Sequence, residues 1–204
     1  HEISLSLHSH DMHRQAEVVY TNPDMFGRMK RAWAVWMLAN CSYGCKLDGC
    51  FGYDRTGGMS KKMDNKRRSF TEEYAKRLSR VQIEYCDALR IIRSRDTEDT
   101  FFYIDPPYVG ADQGHYDGYT QEDFDSLLSL LEEIKGKFLL SSYRNRSLNE
   151  RIAAHGWHTA EIRMHCPMTS RATHVHSKVE VLTANFPFEL NLDGTHKKLI
   201  TDTE

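Results

Sequence analysis

Residues 100–110 read TFFYIDPPYVG, and the fold turns on how this stretch is read. Thr100 to Ile104 are aromatic or β-branched, which predicts a buried strand. The run stops at Asp105, Pro106, Pro107 and Tyr108. Two prolines lock φ and remove two backbone N–H donors, so regular pairing ends there. A carboxylate at the carboxyl end of a strand in an α/β sheet faces the crevice where ligands bind. The carbonyls of Pro106 and Pro107 remain acceptors, and Tyr108 adds a flat ring beside them. Such a cluster suits a planar ring carrying an exocyclic amino group, which has two N–H bonds to donate.

Outward from this stretch the chain alternates. A strand is predicted at VQIEY (81–85), then a short helix over 88–93, the FFYI strand and a helix in QEDFDSLLSLLEEIKG (121–136). KFLLSS (137–142) follows as a strand, then a helix over 146–155 and strands at WHTAEIR (157–163) and KVEVLTANF (178–186). This alternation predicts an α/β domain with a largely parallel sheet covered on both faces. The first third reads as helical: one helix over 10–20, a turn at Asn22-Pro23, and an amphipathic helix through DMFGRMKRAWAVWMLAN (24–40). Residues 41–69 are glycine-bearing without sustained periodicity and read as a long loop, functional or disordered. SFTEEYAKRLSR (69–80) reads as a helix capped by Ser69 or Thr71. The expected division is a helical and loop region (1–80), an α/β portion (81–190) and a tail (191–204).

The totals exclude little beyond a membrane protein. The 204 residues are 40% hydrophobic and 27% charged, enough for one sizeable core, and no apolar run is long enough to span a bilayer. A net charge of −2 means that any nucleic-acid surface must be a local patch. Five scattered cysteines and the absence of a signal-like start suit a reducing cytoplasm.

Asp105-Pro106-Pro107-Tyr108 resembles the catalytic motif of amino-group DNA methyltransferases. FFYIDPPY, GHYDGYTQEDF (114–124) and GKFLLSSY (136–143) together resemble the Dam-like adenine methylases, especially phage and prophage types. RAWAVWMLANCSYGCKLDGCFGYD (31–54) is similar to the opening of their target-recognition region, and VQIEYCDALRII (81–92) to the strand whose terminal acid meets the cofactor's adenine. The resemblance implies transfer of a methyl group from S-adenosylmethionine to adenine N6 in double-stranded DNA, with no metal. It assigns catalysis to Asp105, Pro106, Pro107 and Tyr108, and cofactor contact to Asp87, Tyr103 and Asp105. The flipped adenine would stack on Tyr108.

The implied fold is a Rossmann-like methyltransferase sheet, ordered 3-2-1-4-5-7-6, with a helical and loop target-recognition subdomain. The family's cofactor signatures, an N-terminal Gly-Gly-Lys and a Phe-x-Gly-Gly loop, have no counterpart here. Strands one and two are therefore expected to be missing, and the chain, which does not begin with Met, to be the C-terminal portion of a longer protein. Two alternatives stay open: an N4-cytosine enzyme, and a non-catalytic DNA-binding or interaction module derived from such an enzyme.

Other residues divide between function and plain structure. Asp87 either accepts from the cofactor's adenine or caps the helix over 88–93. Phe102 and Tyr103 touch cofactor or belong to the core. Lys61, Lys62, Lys66, Arg67 and Arg68 form the dense basic run and are expected on phosphates. Tyr43, Lys46 and Tyr53 are expected to reach bases. Tyr116 and Tyr119 close over a flipped base or anchor their loop. Cys41, Cys45 and Cys50 lack zinc-knuckle spacing, and the pairs His8/His10 and His174/His176 read as surface.

Overall fold

In the computed structural model, residues 2–110, 118–164, 178–190 and 199–200 are described. They form two compact units, residues 1–84 and 85–204. Among the described residues no helix is long and apolar enough to cross a membrane.

The first unit is built on α1 (His10–Thr21) and α2 (Arg28–Cys41). Ser9 caps α1 by accepting the Met12 N–H at 3.3 Å. His13, Ala16 and Val19 recur every third residue and turn one stripe of α1 inward. Trp33, Ala34, Met37, Leu38 and Cys41 do the same on α2, and the two stripes share one core with Met63. Two polar contacts fix the packing: Trp33 Nε1 donates to Ser6 Oγ at 2.8 Å, and His13 Nε2 lies 2.9 Å from Ser42 Oγ. The predicted helix over 24–40 starts later than expected. A 3₁₀ turn occupies Pro23–Met25, and Gly27 caps α2. Met25 and Met29 are consequently exposed.

Residues 41–69 correct the expected long loop. An antiparallel bridge pairs Ser42 with Phe51, and Tyr43 N–H donates to the Cys50 carbonyl at 2.8 Å, closing a small turn. Gly52 sits where a Cβ would come within 2.9 Å of the Cys41 carbonyl, so the turn can close only on glycine. Then α3 (Gly58–Ser69) carries the basic run on a helix. Its start is made by Asp54, whose carboxylate accepts from the Thr56 N–H at 2.8 Å, the Gly58 N–H at 3.0 Å and the Met59 N–H. The signal was hidden because only Met59 and Met63 mark an apolar face in a strongly polar helix. Lys66, Arg67 and Arg68 in its last turn complement the helix dipole. A short helix, α4 (Glu72–Leu78), follows with Thr71 at its N-cap.

The strand expected at 81–85 does not form. Residues 81–87 carry no regular structure, and Ile83 and Tyr85 are almost wholly exposed. β-propensity gives no strand without a partner, and residues 81–85 pair with no strand among the described residues.

The second unit has α5 (Ala88–Arg95), β1 (Phe101–Ile104), α6 (Gln121–Glu133), β2 (Lys137–Ser142), α7 (Arg146–His155), β3 (His158–Met164), β4 (Lys178–Ala184) and β5 (Leu199–Ile200). The sheet order is β1-β2-β4-β3-β5. Only the β1–β2 pair is parallel; the β2–β4, β4–β3 and β3–β5 pairs are antiparallel, so β1, β2 and β3 run one way and β4 and β5 the other, which corrects the largely parallel expectation. From β2 onward the sequence alternation was right, but it does not encode strand direction.

Phe102, Ile104, Phe138, Leu140 and Val181 share one sheet face and pack with Ile92 of α5, Leu148 of α7 and a stripe of α6. That stripe is Phe124, Leu127, Leu128, Leu130 and Leu131, each burial contributing about 1.5–3 kcal/mol. A capping box sets α6 in register, with Thr120 and Asp123 satisfying each other's backbone N–H. On the other face of β1, Phe101 and Tyr103 are more than half exposed among the described residues, while Ser141, Ala160 and Ala184 further along the sheet are buried.

Asp54 is expected to make α3 acid-sensitive. Its three backbone bonds, that to Met59 foremost, lower its carboxyl from 3.8 to about 2. The stability it lends is present above 3.8 and lost as pH falls towards 2. Far-UV circular dichroism of Asp54→Ala should show reduced helix content at neutral pH. Its helix content should also fall less steeply than wild type across that acid window.

Candidate active site

β1 is positioned from its start. The Asp96 carboxylate takes the N–H groups of Lys135 and Gly136, each at 3.0 Å, tying the end of α5 to the turn that enters β2. Gly136 has no room for a side chain, because a Cβ would lie 2.6 Å from the Thr100 carbonyl. Lys137 N–H donates to that carbonyl at 2.8 Å, and the pairing then runs from Phe101↔Lys137 to Ile104↔Leu140. Asp105 therefore leaves the sheet beside Ser141.

Asp105 continues the exposed face of Phe101 and Tyr103, while Pro106, Pro107 and Tyr108 are half-buried. Tyr108 folds back onto β2. Its Oη lies 2.6 Å from Ser141 Oγ, and its ring meets Tyr143 at 4.6 Å between centroids, inclined by 64°. Burial pushes the Tyr108 phenol up to about 12; the charges of Glu180 and Asp105 add to this and the Ser141 bond opposes it. Tyr108 is thus a neutral phenol beside a carboxylate, suited to stacking and hydrogen bonding rather than to proton abstraction. Ser141, Tyr143 and Glu180 were missed by the sequence reading. A parallel β1–β2 pair would have pointed to Ser141, since it falls one step past Leu140.

The remaining residues named from sequence separate by place. Asp87 caps α5, its Oδ1 accepting the Arg90 N–H at 2.8 Å. Its second oxygen has no hydrogen-bond partner among the described residues. Phe102 packs into the core beneath the sheet, whereas the Tyr103 ring is 61% exposed on the other face. Tyr103 thus offers an open ring, and Asp87 and Asp105 offer carboxylate oxygens, groups of the kind that stack on an adenine and accept from its amine. Tyr119 packs against the core, and its phenol is raised to about 12 by burial and then Asp123, so it reads as an anchor. Tyr116, His174 and His176 lie outside the described residues.

In the first unit the basic run does not act as one patch. Arg67 donates to the Ser6 carbonyl at 3.3 Å and pairs with Asp64, which also holds Arg68 at 2.8 Å. Lys62 Nζ lies 3.2 Å from Cys45 Sγ. Lys61 and Lys66 are exposed, and no carboxylate of the described residues pairs with either. Lys66 lines a cleft of about 240 Å³ with Trp36, Asn40, Phe70 and Tyr74. Tyr43, Lys46 and Tyr53 are exposed on the turn and just after it. Burial raises the Cys41 thiol to about 11, which suits a packed side chain rather than a metal ligand. His8 and His10 lie against Phe51, at 4.6 and 5.2 Å between ring centroids; His8 is half-buried and meets Ser60 and Gly52, whereas His10 is exposed as expected.

The family model for D12 class N6 adenine-specific DNA methyltransferases matches residues 42–165, which include the turn, α3 and the sheet through β3. No curated protein sequence matches the chain.

Spectrophotometric titration offers a direct check on the site. Tyr108 and Tyr119 should ionise near 12, later than the ordinary value of 10. Tyr108→Phe should remove one of these two late phenols. Because its folded value is raised, the stability tied to Tyr108 is present below 10 and lost as pH climbs through 12.

Proposed function

The chain belongs to the D12 class N6 adenine-specific DNA methyltransferases, and on that premise we propose that Asp105 to Tyr108 are the groups that hold the reacting adenine. The observation that carries this is the placement of the motif: it leaves β1 at its carboxyl end with an exposed carboxylate and a Tyr108 ring held by β2.

The amino nitrogen of adenine is a poor nucleophile because its lone pair is delocalised into the ring. The Asp105 carboxylate and the Pro106 carbonyl accept its two hydrogens and favour a pyramidal nitrogen with a directed lone pair. Pro106 and Pro107 help by withholding N–H groups that would compete for those acceptors. Tyr108 stacks the adenine once it has left the duplex. S-adenosylmethionine, when bound, supplies an electrophilic methyl group, and Tyr103, Asp87 and Asp105 are the residues that would hold it. The work of the chain is positioning and electrostatics. After transfer, the surplus amine proton passes to water. The strand order β1-β2-β4-β3 supports this reading, because it agrees with the 4-5-7-6 half of the implied methyltransferase sheet.

The first unit is the DNA-reading side of this proposal. Lys61 and Lys66 are its phosphate contacts, and Tyr43, Lys46 and Tyr53 lie nearest the bases. Arg67 and Arg68, held by Asp64, shape α3 instead.

Asp105→Ala should lower methyl transfer to unmodified duplex DNA by about 10²–10³-fold, as loss of a charge-stabilising acceptor does. N6-methyladenine in the digested DNA is the readout, with folding checked by circular dichroism. Wild-type rates in Asp105→Ala would refute the assignment, and so would methyl appearing on cytosine. On DNA, Lys61→Ala and Lys66→Ala should each reduce the salt dependence of binding by about one unit of slope. Arg67→Ala should instead lower the melting temperature and leave that slope nearly unchanged.

A further inference from the structure

Ser141 is 4% exposed, one step before the end of β2 and opposite Leu182 of β4. A buried hydroxyl needs a partner. The next residue shows the contrast, since Ser142 Oγ is buried on the helical face without a hydrogen bond among the described residues. Ser141 spends its hydroxyl on Tyr108 Oη at 2.6 Å, the far end of the ring that follows the two prolines. Tyr143, two residues on, meets the same ring at 4.6 Å. Tyr108 is therefore held at its phenol by β2 and against its ring by the residue that follows β2.

We propose that Ser141 is a positioning residue of the methyltransferase site, fixing with Tyr143 the orientation in which the Tyr108 ring receives the extrahelical adenine. The inference rests on the reading of Asp105 to Tyr108 given above. A tyrosine on a loop beyond the sheet would otherwise be ordered only when the base arrives, and that ordering would be charged against binding. Ser141 orders the ring beforehand, in the protein alone. Burial above all keeps the phenol protonated; the Ser141 bond opposes this, and Glu180 and Asp105 add to it. The Ser141 bond is therefore one between neutral hydroxyls.

Loss of that single bond, worth about 1 kcal/mol net, should lower kcat/KM about fivefold in Ser141→Ala. Tyr108→Phe keeps the ring and loses both the Ser141 bond and the phenol's contact with Asp105, so it should lose at least as much, and adding Ser141→Ala to it should cost nothing further. Ser141→Thr keeps the hydroxyl and should recover most of the rate. The salt dependence of DNA binding should hold in all of them, since the proposed phosphate contacts, Lys61 and Lys66, are left unchanged. A merely structural serine would give losses that multiply in the double variant and follow the melting temperature. If Ser141→Ala fails to fold, Tyr108→Phe carries the test alone, and a wild-type rate there overturns the proposal. Asp105-dependent methylation with wild-type rates in both single variants overturns this inference and leaves the site assignment standing. Absence of Asp105-dependent methylation removes both.

Discussion

The parallel register of β1 on β2 is the constraint from which the candidate site follows. Phe101 stands opposite Lys137 and Ile104 opposite Leu140, so the chain leaves β1 level with Ser141. A slip of one residue would turn Phe102 and Ile104 out of the core and bring Phe101 and Tyr103 in. It would also move Tyr108 away from its hydroxyl partner. The register is held at its beginning by Asp96 and by the close approach of Gly136 to Thr100. Asn185 reinforces it, accepting from Phe138 N–H at 3.0 Å and donating to the Gly136 carbonyl at 2.9 Å. These groups lie at the opposite end of the strand from the motif, and through the strand they place it.

Burial then divides the labour between the two sides of β1. One side is committed to the helices, where Phe102 and Ile104 join the α6 leucines. The other side carries Phe101, Tyr103 and Asp105 in the open. Strand alternation therefore serves two purposes within five residues: it anchors the sheet and presents an aromatic and a carboxylate together. The double proline ends the alternation before Asp105 can be drawn into further pairing.

The first unit shows a similar economy of charge. Five basic residues lie within eight positions of α3 and its approach, but Asp64 takes two of them and Cys45 sits against a third. The charge that faces outward is smaller than the count suggests. Asp54 organises the helix start without being part of any apolar pattern, through three N–H groups that would otherwise be orphaned.

Local sequence was enough for much of this. Runs of strand-forming residues between helical segments announced β1, β2, β3 and β4, helical stretches announced α1, α6 and α7, and the Asp-Pro-Pro-Tyr string marked the candidate site, because short-range sterics and hydrophobic patterning dictate each of these. It failed where the outcome depends on what lies alongside. VQIEY has strand residues but pairs with no strand among the described residues, and it stays irregular. The polar stretch that reads as loop becomes α3 because Asp54 caps it and one methionine reaches a core built by α1 and α2. Strand direction is invisible to a pattern of period two, so the antiparallel pairs of β4 came only with the fold. The partnership of Tyr108 with Ser141 spans 33 positions and exists because two strands lie side by side. The sequence by itself determined which residues could be strand, helix and acceptor; the tertiary structure decided which of them meet, because hydrogen bonds and ring contacts depend on distance in space rather than along the chain.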